Sequence, residues 1–448
     1  MTDCKAIAGR IAFVLLLIPA VVNCQSLTAS TWESMGPEGG YLTDIAQNPT
    51  NGDLFAVTYG YPTRLYKSTN NGDTWQKISE IQAYVYYLLI DPQQPATMYA
   101  SDSWVYPDYG IWKSANGGVT WVQKGFPGLQ NNYYKVSGFT LDRVDPKKIY
   151  VSGYVYTSGP TTTSNYRTYV AKSTDSGDSW SIREFSNVTS EEFYALCVEP
   201  DPSDANIMYV GGYSYVPDGY CYGRIFRTTD NGTSWTNITG TVVQGYVYDI
   251  LADMSNPGRV FAATYAGLYR STDKGSTWVR GNGNIYGGKL LCDPKNSSTV
   301  YAYNDGLTCF RSTDAGLTWT SLTTGLSGGN TNELIIHPLV SGMLFAATRA
   351  GFFRSTDGGQ NWSSSNRGLI ASYVPMLHCL PTSPKTLYIS FMYNGLYRTS
   401  NALGKGVPSS ALGLTWEKMP EYSYCEGIMH MEVSPTDPNV IYIQEGAS

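Results

Sequence analysis

Along most of the chain, apolar residues fall in short runs separated by Pro and Gly turns, and the order of runs recurs. "YVYYLLIDPQQPATMYAS", "GGKLLCDPKNSSTVYAY" and "GIMHMEVSPTDPNVIYI" each hold an apolar run, a Pro-containing turn and a second apolar run with an aromatic residue near its end. A third stretch such as "GLYRS" follows, then a polar Gly turn and a tryptophan. Runs this short, rich in Val, Ile, Tyr and Phe and bounded by turn residues, predict strands. Each unit therefore holds four: one before the Pro turn, one after it, one at the "GLYRS" stretch and one opening at the tryptophan.

Aligned on that tryptophan, eight units end at Trp75, Trp121, Trp180, Trp235, Trp278, Trp319, Trp362 and Trp416. The turns before the first seven read "STNNGDTW", "SANGGVTW", "STDSGDSW", "TTDNGTSW", "STDKGSTW", "STDAGLTW" and "STDGGQNW"; the eighth is interrupted between Asn401 and Thr415. Four strands per unit at a spacing of 41 to 59 residues is the pattern of a β-propeller blade. The expected fold is all-β, a propeller of four-stranded antiparallel blades, about eight in number within a range of seven to nine. Trp32 reads as the last strand of a unit without a beginning, and the segment near the C-terminus supplies two strands of a ninth. The expected propeller covers residues 25–448, its last blade incomplete or closed by the N-terminal strand near Trp32; the alternative is the front part of a longer protein with a second ring.

The repeated turn resembles the Asp-box, S-x-D-x-G-x-T-W, also called the BNR repeat. It is similar to motifs of bacterial sialidases, xyloglucan-hydrolysing glycosidases, sortilin-type receptors and the photosystem II assembly factor family, and the likeness covers nearly the whole chain after residue 24. The resemblance implies the propeller and is almost mute about activity. Chemistry gives the same role to its residues: an Asp opening a tight turn accepts N–H groups, Gly supplies positive φ, and a hydroxyl closes the turn. Asp175, Asp230, Asp273, Asp314 and Asp357 are expected to hold turns, and Asn70 and Asn116 replace them in two boxes. Arg227, Arg270, Arg311, Arg354 and Arg398, with Lys67, Lys113 and Lys172 in the other units, precede the box by rule, which also points to structure.

Composition narrows the class. Residues 1–24 carry Lys5 and Arg10, an apolar run "IAFVLLLIPAVV", and Val22 and Cys24 before Gln25, the pattern of a secretory signal peptide. The expected location is extracellular or at the cell surface. Losing Asp3, Lys5 and Arg10 with the leader would move the formal charge from −6 to −7, which disfavours nucleic acid as a partner. No later segment is long and apolar enough to span a bilayer as a helix. Six cysteines follow the leader, open to disulfides or to buried thiols, and His337, His378 and His430 lie in apolar segments that suit packing better than zinc. No metal or cofactor is expected, and the chain is expected to be a monomer.

The Pro turns and boxes share one face of such a ring, so recognition falls to the other. There the connections between strands two and three are long and tyrosine-rich in early units, as in "SDSWVYPDYG", "SGYVYTSGPTTTSNYRTY" and "GGYSYVPDGYCYGR", and short in later ones, as in "TYAG" and "TRAG". They bring Trp104, Tyr106, Tyr109, Tyr215, Tyr220 and Tyr222 to that face. Fifteen residues before the strand-two aromatic stand Tyr84, Tyr194, Tyr246, Tyr286 and Tyr373, where the chain begins each innermost strand; Tyr41 and Tyr134 miss the register by one. The leading expectation is a non-catalytic module that binds a glycan or an extracellular protein through these rings. The alternative is a glycoside hydrolase, sialidase-like or xyloglucanase-like, which needs two carboxyls across a cleft. Asp44, Asp249 and Glu192 are its candidates, with Glu191 and Glu333 behind them, and no spacing singles out a pair.

Overall fold

The structure is a computed structural model. Its described residues are 39–445 apart from 103, 106–109, 125–132, 158–164, 186–191, 216–220, 283–287, 305–307, 323, 327–329, 368, 370–375, 380–386, 392–394, 400–415, 420–427 and 434–440. The expected leader and Trp32 lie outside them. Seven four-stranded antiparallel sheets succeed one another, spanning residues 42–81, 87–124, 133–184, 192–237, 247–280, 289–322 and 331–364, named here blades 1 to 7. Strands follow chain order across each blade, the first being innermost.

These seven close into a ring. One apolar cluster fills each junction between neighbouring blades, and the seventh joins Leu42, Ile45, Tyr66 and Trp75 of blade 1 to Phe345, Ala347 and Phe352 of blade 7. The basic residue before the box gives an independent check. Arg227 of blade 4 donates to the carbonyl of Lys274 in the blade 5 box at 2.7 Å, Arg270 to Ala315 of blade 6 at 3.4 Å and Arg311 to Gly358 of blade 7 at 3.1 Å. Arg354 of blade 7 continues the series by donating to Asn71 of the blade 1 box at 3.2 Å and to Asp73 at 2.7 Å. Eight copies thus yield a ring at the lower end of the expected range. The eighth forms its own sheet over residues 376–418, and its innermost strand Met376–Cys379 packs on strand Ile428–Val433 of a following hairpin.

The turn face is regular because each turn satisfies its own backbone. In the blade 5 box, Ser271 accepts the Gly275 N–H at 2.8 Å and donates to Asp273 at 2.7 Å, while Asp273 accepts the Thr277 N–H at 2.8 Å and its hydroxyl at 2.6 Å. With Asn70 the Thr74 N–H is still accepted at 2.9 Å, and the amide donates to the Thr74 hydroxyl at 2.9 Å. Gly72 shows why the glycine is needed: φ is +87°, and a Cβ there would lie 2.2 Å from the ring of Phe352. The hydroxyls of Ser179, Ser234 and Thr318 hold the carboxyls of Asp175, Asp230 and Asp314 down to about 2, the Asn361 N–H does the same for Asp357, and Thr277 lowers Asp273.

Candidate functional site: the channel mouth and the charged lumen

The opposite face is uneven for a structural reason. What the sequence presents as long connections in blades 3 and 4 is largely strand: Ile149–Thr157 pairs with Asn165–Ser173, and Met208–Tyr215 with Cys221–Thr228. In blade 5 the equivalent hairpin stops at Thr264 opposite Gly267. Blade 3 runs on to Thr157 opposite Asn165, four residues further, or about 13 Å at the rise of a strand. Blades 3 and 4 therefore raise a wall beside the channel. Strand Trp104–Val105, from the blade 2 connection, adds to the inner edge of blade 3 with Lys135 opposite Trp104.

Tyrosines line this mouth in two arrays. On blades 1 and 2, Tyr41 stacks on Tyr59 at 4.8 Å between centroids, Tyr59 meets Tyr84 at 6.1 Å, and Tyr84 meets Tyr61 at 5.6 Å. Arg349 of blade 7 stands over the Tyr41 ring at 5.5 Å. On blades 3 to 5, Tyr154 meets Tyr194 edge-on at 5.4 Å, Tyr194 stacks on Tyr213 at 5.1 Å, Tyr213 meets Tyr246 at 4.6 Å, and Tyr246 reaches Tyr265 at 6.3 Å. Such offset and tilted pairs suit the ring quadrupole. Tyr61, Tyr84, Tyr215, Tyr222 and Tyr265 remain 44–59 % exposed. The exposed aliphatics of the turn face, Val119, Val144, Met254, Leu317, Leu339 and Val340, lie at the other end of the ring.

Of the tyrosines named from sequence, Tyr84, Tyr194 and Tyr246 fall in these arrays, with Tyr215 packed against Tyr194 and Tyr213. Tyr222 carries the Arg224 guanidinium over its ring at 5.5 Å. Tyr106, Tyr109, Tyr220, Tyr286 and Tyr373 lie outside the described residues, as does Glu191, and Trp104 and Tyr134 are placed by backbone alone. Tyr59, Tyr61, Tyr154, Tyr213 and Tyr265 complete the arrays. They sit on strand two and the turn after it, one strand away from the 15-residue register.

Below the mouth lies a charged lumen. Asp44, Asp249 and Glu333 are equivalent residues: each follows a bulge in the innermost strand and stands opposite Val57, Ala263 and Ala347, respectively. Asp44 and Asp249 reach across to the next blade, whose first strand has an open edge. Asp44 accepts the N–H of Leu88 at 2.6 Å and of Ile45 at 2.6 Å, and Asp249 accepts the N–H of Leu290 at 2.9 Å. These bonds satisfy donors that no further strand pairs. Lys289 of blade 6 supplies a positive charge among the three acids.

Burial pushes the Asp44 carboxyl well above its ordinary range, and the neighbouring Glu333 adds to this. Burial also raises Glu333 to about 7, against the pull of Lys289, and raises Asp249. Desolvation works against the Lys289 ammonium, but Asp249, Tyr87 and Glu333 more than restore it. Tyr303, buried beside Glu333, has its phenol raised by burial and by that carboxyl. Further round, Glu199 accepts from Arg143 at 2.7 Å and from the Ala252 N–H at 3.1 Å, tying blades 3, 4 and 5. The structure thus joins Asp44 and Asp249 with Glu333 and leaves Glu192 apart, exposed near Tyr215. Lys289 and Tyr303 are additions to the candidates named above. Glu333 was already among the sequence candidates and shares the post-bulge position with Asp44 and Asp249, whereas blade 6 has no bulge at that level to bring Lys289 into line.

Among the described residues, no group of three or more His, Cys, Asp or Glu side chains is placed to hold a metal ion. Cys197, Cys221, Cys292 and Cys309 are free thiols; Cys425 lies outside the described residues and Cys379 is placed by backbone alone. Among the described residues, no helix is long and apolar enough to cross a membrane.

No family profile and no curated protein matches the chain. Solved structures do. A GH74 enzyme of Niastella koreensis is 17% identical over 90% of this chain and 82% of its own, with a TM-score of 0.28. An ancestral GH74 enzyme is 15% identical over 93% of this chain and 68% of its own, with a TM-score of 0.42. YCF48 from Cyanidioschyzon merolae is 13% identical over 69% of this chain and 92% of its own, with a TM-score of 0.37.

Proposed function

We propose that the chain is an exported, non-catalytic recognition module that holds a glycan or an extracellular protein against the tyrosine-lined mouth. The observation that carries this reading is the pair of tyrosine arrays, prepacked through one set of ring faces and half-exposed at Tyr61, Tyr84, Tyr215 and Tyr265. Rings already held by neighbours lose little freedom when a ligand covers them, and a phenol offers both an apolar face and a hydrogen bond. The raised hairpins of blades 3 and 4 give a ligand a side wall as well as a floor. The test is a glycan array and a cell-surface binding assay with the whole chain, repeated with Tyr84→Ala and Tyr265→Ala. Binding that survives both substitutions overturns the reading.

A second reading, a glycoside hydrolase, is favoured by one observation. Asp44 and Glu333 are neighbouring carboxyls that retain protons far more readily than free ones, as a general acid must. Against it, Asp44 has both carboxyl oxygens engaged by backbone N–H groups and lies three residues past Tyr41, about 10 Å below the mouth. Turnover of sialosides or plant glucans that is abolished by Asp44→Asn or Glu333→Gln would establish it.

A further inference from the structure

Every blade of the ring ends its innermost strand on a polar residue that caps the Pro turn. In six blades the cap is Asn48, Asp91, Asp142, Asp201, Asp253 or Asp293, whose side-chain oxygen accepts the N–H two residues on at 2.8–2.9 Å. Blade 7 alone uses an imidazole. His337 Nδ1 accepts the N–H of Leu339 at 3.0 Å and of Val340 at 3.1 Å. A nitrogen that accepts two hydrogen bonds carries no proton, so these contacts assign the neutral tautomer with hydrogen on Nε2. Protonation of Nδ1 turns the acceptor into a donor aimed at two other donors.

The position of this cap matters as much as its chemistry. His337 is buried, packs on Phe345 at 6.0 Å, and turns Nε2 toward the blade 1 turn, where a Cβ on Gly52 would lie 3.7 Å from it. It therefore stands at the junction that closes the ring. Among the described residues blades 7 and 1 exchange no strand, and contacts across their junction include side chains and single hydrogen bonds, such as Trp75 N to Arg367 O at 2.8 Å and Ser365 Oγ to Gly72 O at 2.8 Å. The charges around the imidazole give a proton no partner. Lys295 of blade 6 bonds the Leu339 carbonyl, Asp53 beside Gly52 is held by Lys67 at 2.6 Å, and Glu333 lies up the same strand in the lumen. Burial and Lys295 accordingly lower the affinity of His337 for a proton.

We propose that His337 makes the junction of blades 7 and 1 a pH-sensitive latch, closed while the imidazole is neutral and loosened when Nδ1 takes a proton. The other six junctions, capped by amide or carboxylate, lack this response. Hydrogen exchange on the full chain at pH 7.5 and pH 5, corrected for intrinsic rates, reads the latch directly. Protection in peptides covering residues 39–58 and 337–348 falls roughly tenfold at pH 5, the loss of about 1.4 kcal/mol expected for two caps. Protection around the Asp201 turn of blade 4 holds. His337→Asp, which installs the cap of the other blades, abolishes the fall. Equal protection at both pH values in the wild type, or the same fall in His337→Asp, overturns the proposal. Should the variant not fold, the imidazole titration of the wild type decides, and a His337 midpoint at or above about 6.5 overturns it.

Discussion

The two faces of the ring use aromatic and acidic residues in opposite ways. On the turn face, every box of the ring directs its Asp or Asn side chain into its own backbone and every box tryptophan of the ring lies at a blade junction; Trp278 donates to the carbonyl of Ile238 in the preceding blade at 2.9 Å, as Trp75 does to Ser365 across the closing junction at 3.2 Å. At the mouth, the tyrosines pack on one another and leave ring faces in solvent, and blades 3 and 4 rise above the rest. Residues that do the same work in every blade hold the ring together. Residues that differ between blades are free to meet something else.

The largest effect that can break this contrast is removal of a junction ring. Trp278→Ala empties a buried site and should cost about 3–5 kcal/mol in urea unfolding. The fraction still folded should bind at the mouth as before. A loss below about 1 kcal/mol would show that the box tryptophans are not junction braces.

Next in size is the lumen, where carboxyls are buried for the sake of the ring. Glu333 keeps its proton up to about 7 in the fold, while an unfolded glutamate releases it near 4.3. The folded state therefore binds more protons across that window. Its stability falls as pH rises from about 4.5 to 7 and levels off above, the reverse of a paired carboxylate. Glu333→Gln should flatten this slope and leave the variant about 1–3 kcal/mol more stable than the wild type at pH 8, with little difference at pH 4. Lys289 retains Asp249 in the variant, so the gain is not offset by a stranded ammonium. A wild type whose stability relative to Glu333→Gln climbs between pH 5 and 7 would contradict the burial argument.

How much of this was readable in advance follows from how local each feature is. The box, its Asn variants and the basic residue before it are contained in ten residues, and their roles can be argued from turn chemistry alone. Blade number is not local: unit eight carries "GLYRTS" like its predecessors, and it takes contacts between distant blades, such as the blade 1–blade 7 core and the reach of Arg354 to Asn71, to show that the ring is already complete without it. Tyr84, Tyr194 and Tyr246 were visible because they sit at a constant distance from an aromatic one strand away. Tyr59 and Tyr213 were not, since their partners come from across a turn or the next blade. The extensions of blades 3 and 4 looked like loops because Ser, Thr, Gly and Tyr cover them. Their buried positions are filled by Val155, Thr168 and Ser214, of which two are polar, so no apolar alternation marks the strands.

A smaller effect separates chemistry from shape within the box. Asp273→Ala removes an acceptor for one N–H and two hydroxyls and should cost about 1 kcal/mol. Asp273→Asn should cost less than about 0.5 kcal/mol, since Asn70 and Asn116 already close two boxes with the same acceptor geometry. Thermal unfolding of the two variants side by side measures the difference. Equal losses would mean that the charge itself is needed at this turn.

The smallest effect on stability belongs to the mouth, and there it is the contrast with function that matters. Tyr265 is 59 % exposed and meets Tyr246 at 6.3 Å at the end of its array, so Tyr265→Ala should change unfolding by no more than about 0.5 kcal/mol. If the arrays exist to meet a ligand, the same substitution should lower affinity about tenfold or more, the weight of an aromatic anchor at a binding face. A ring packed for the sake of the fold behaves the other way, costing stability and leaving binding alone. Measuring both quantities on one variant therefore tells a recognition surface from surplus packing, and a Tyr265→Ala protein that unfolds early yet binds normally would assign the mouth tyrosines to the same structural duty as the tryptophans beneath them.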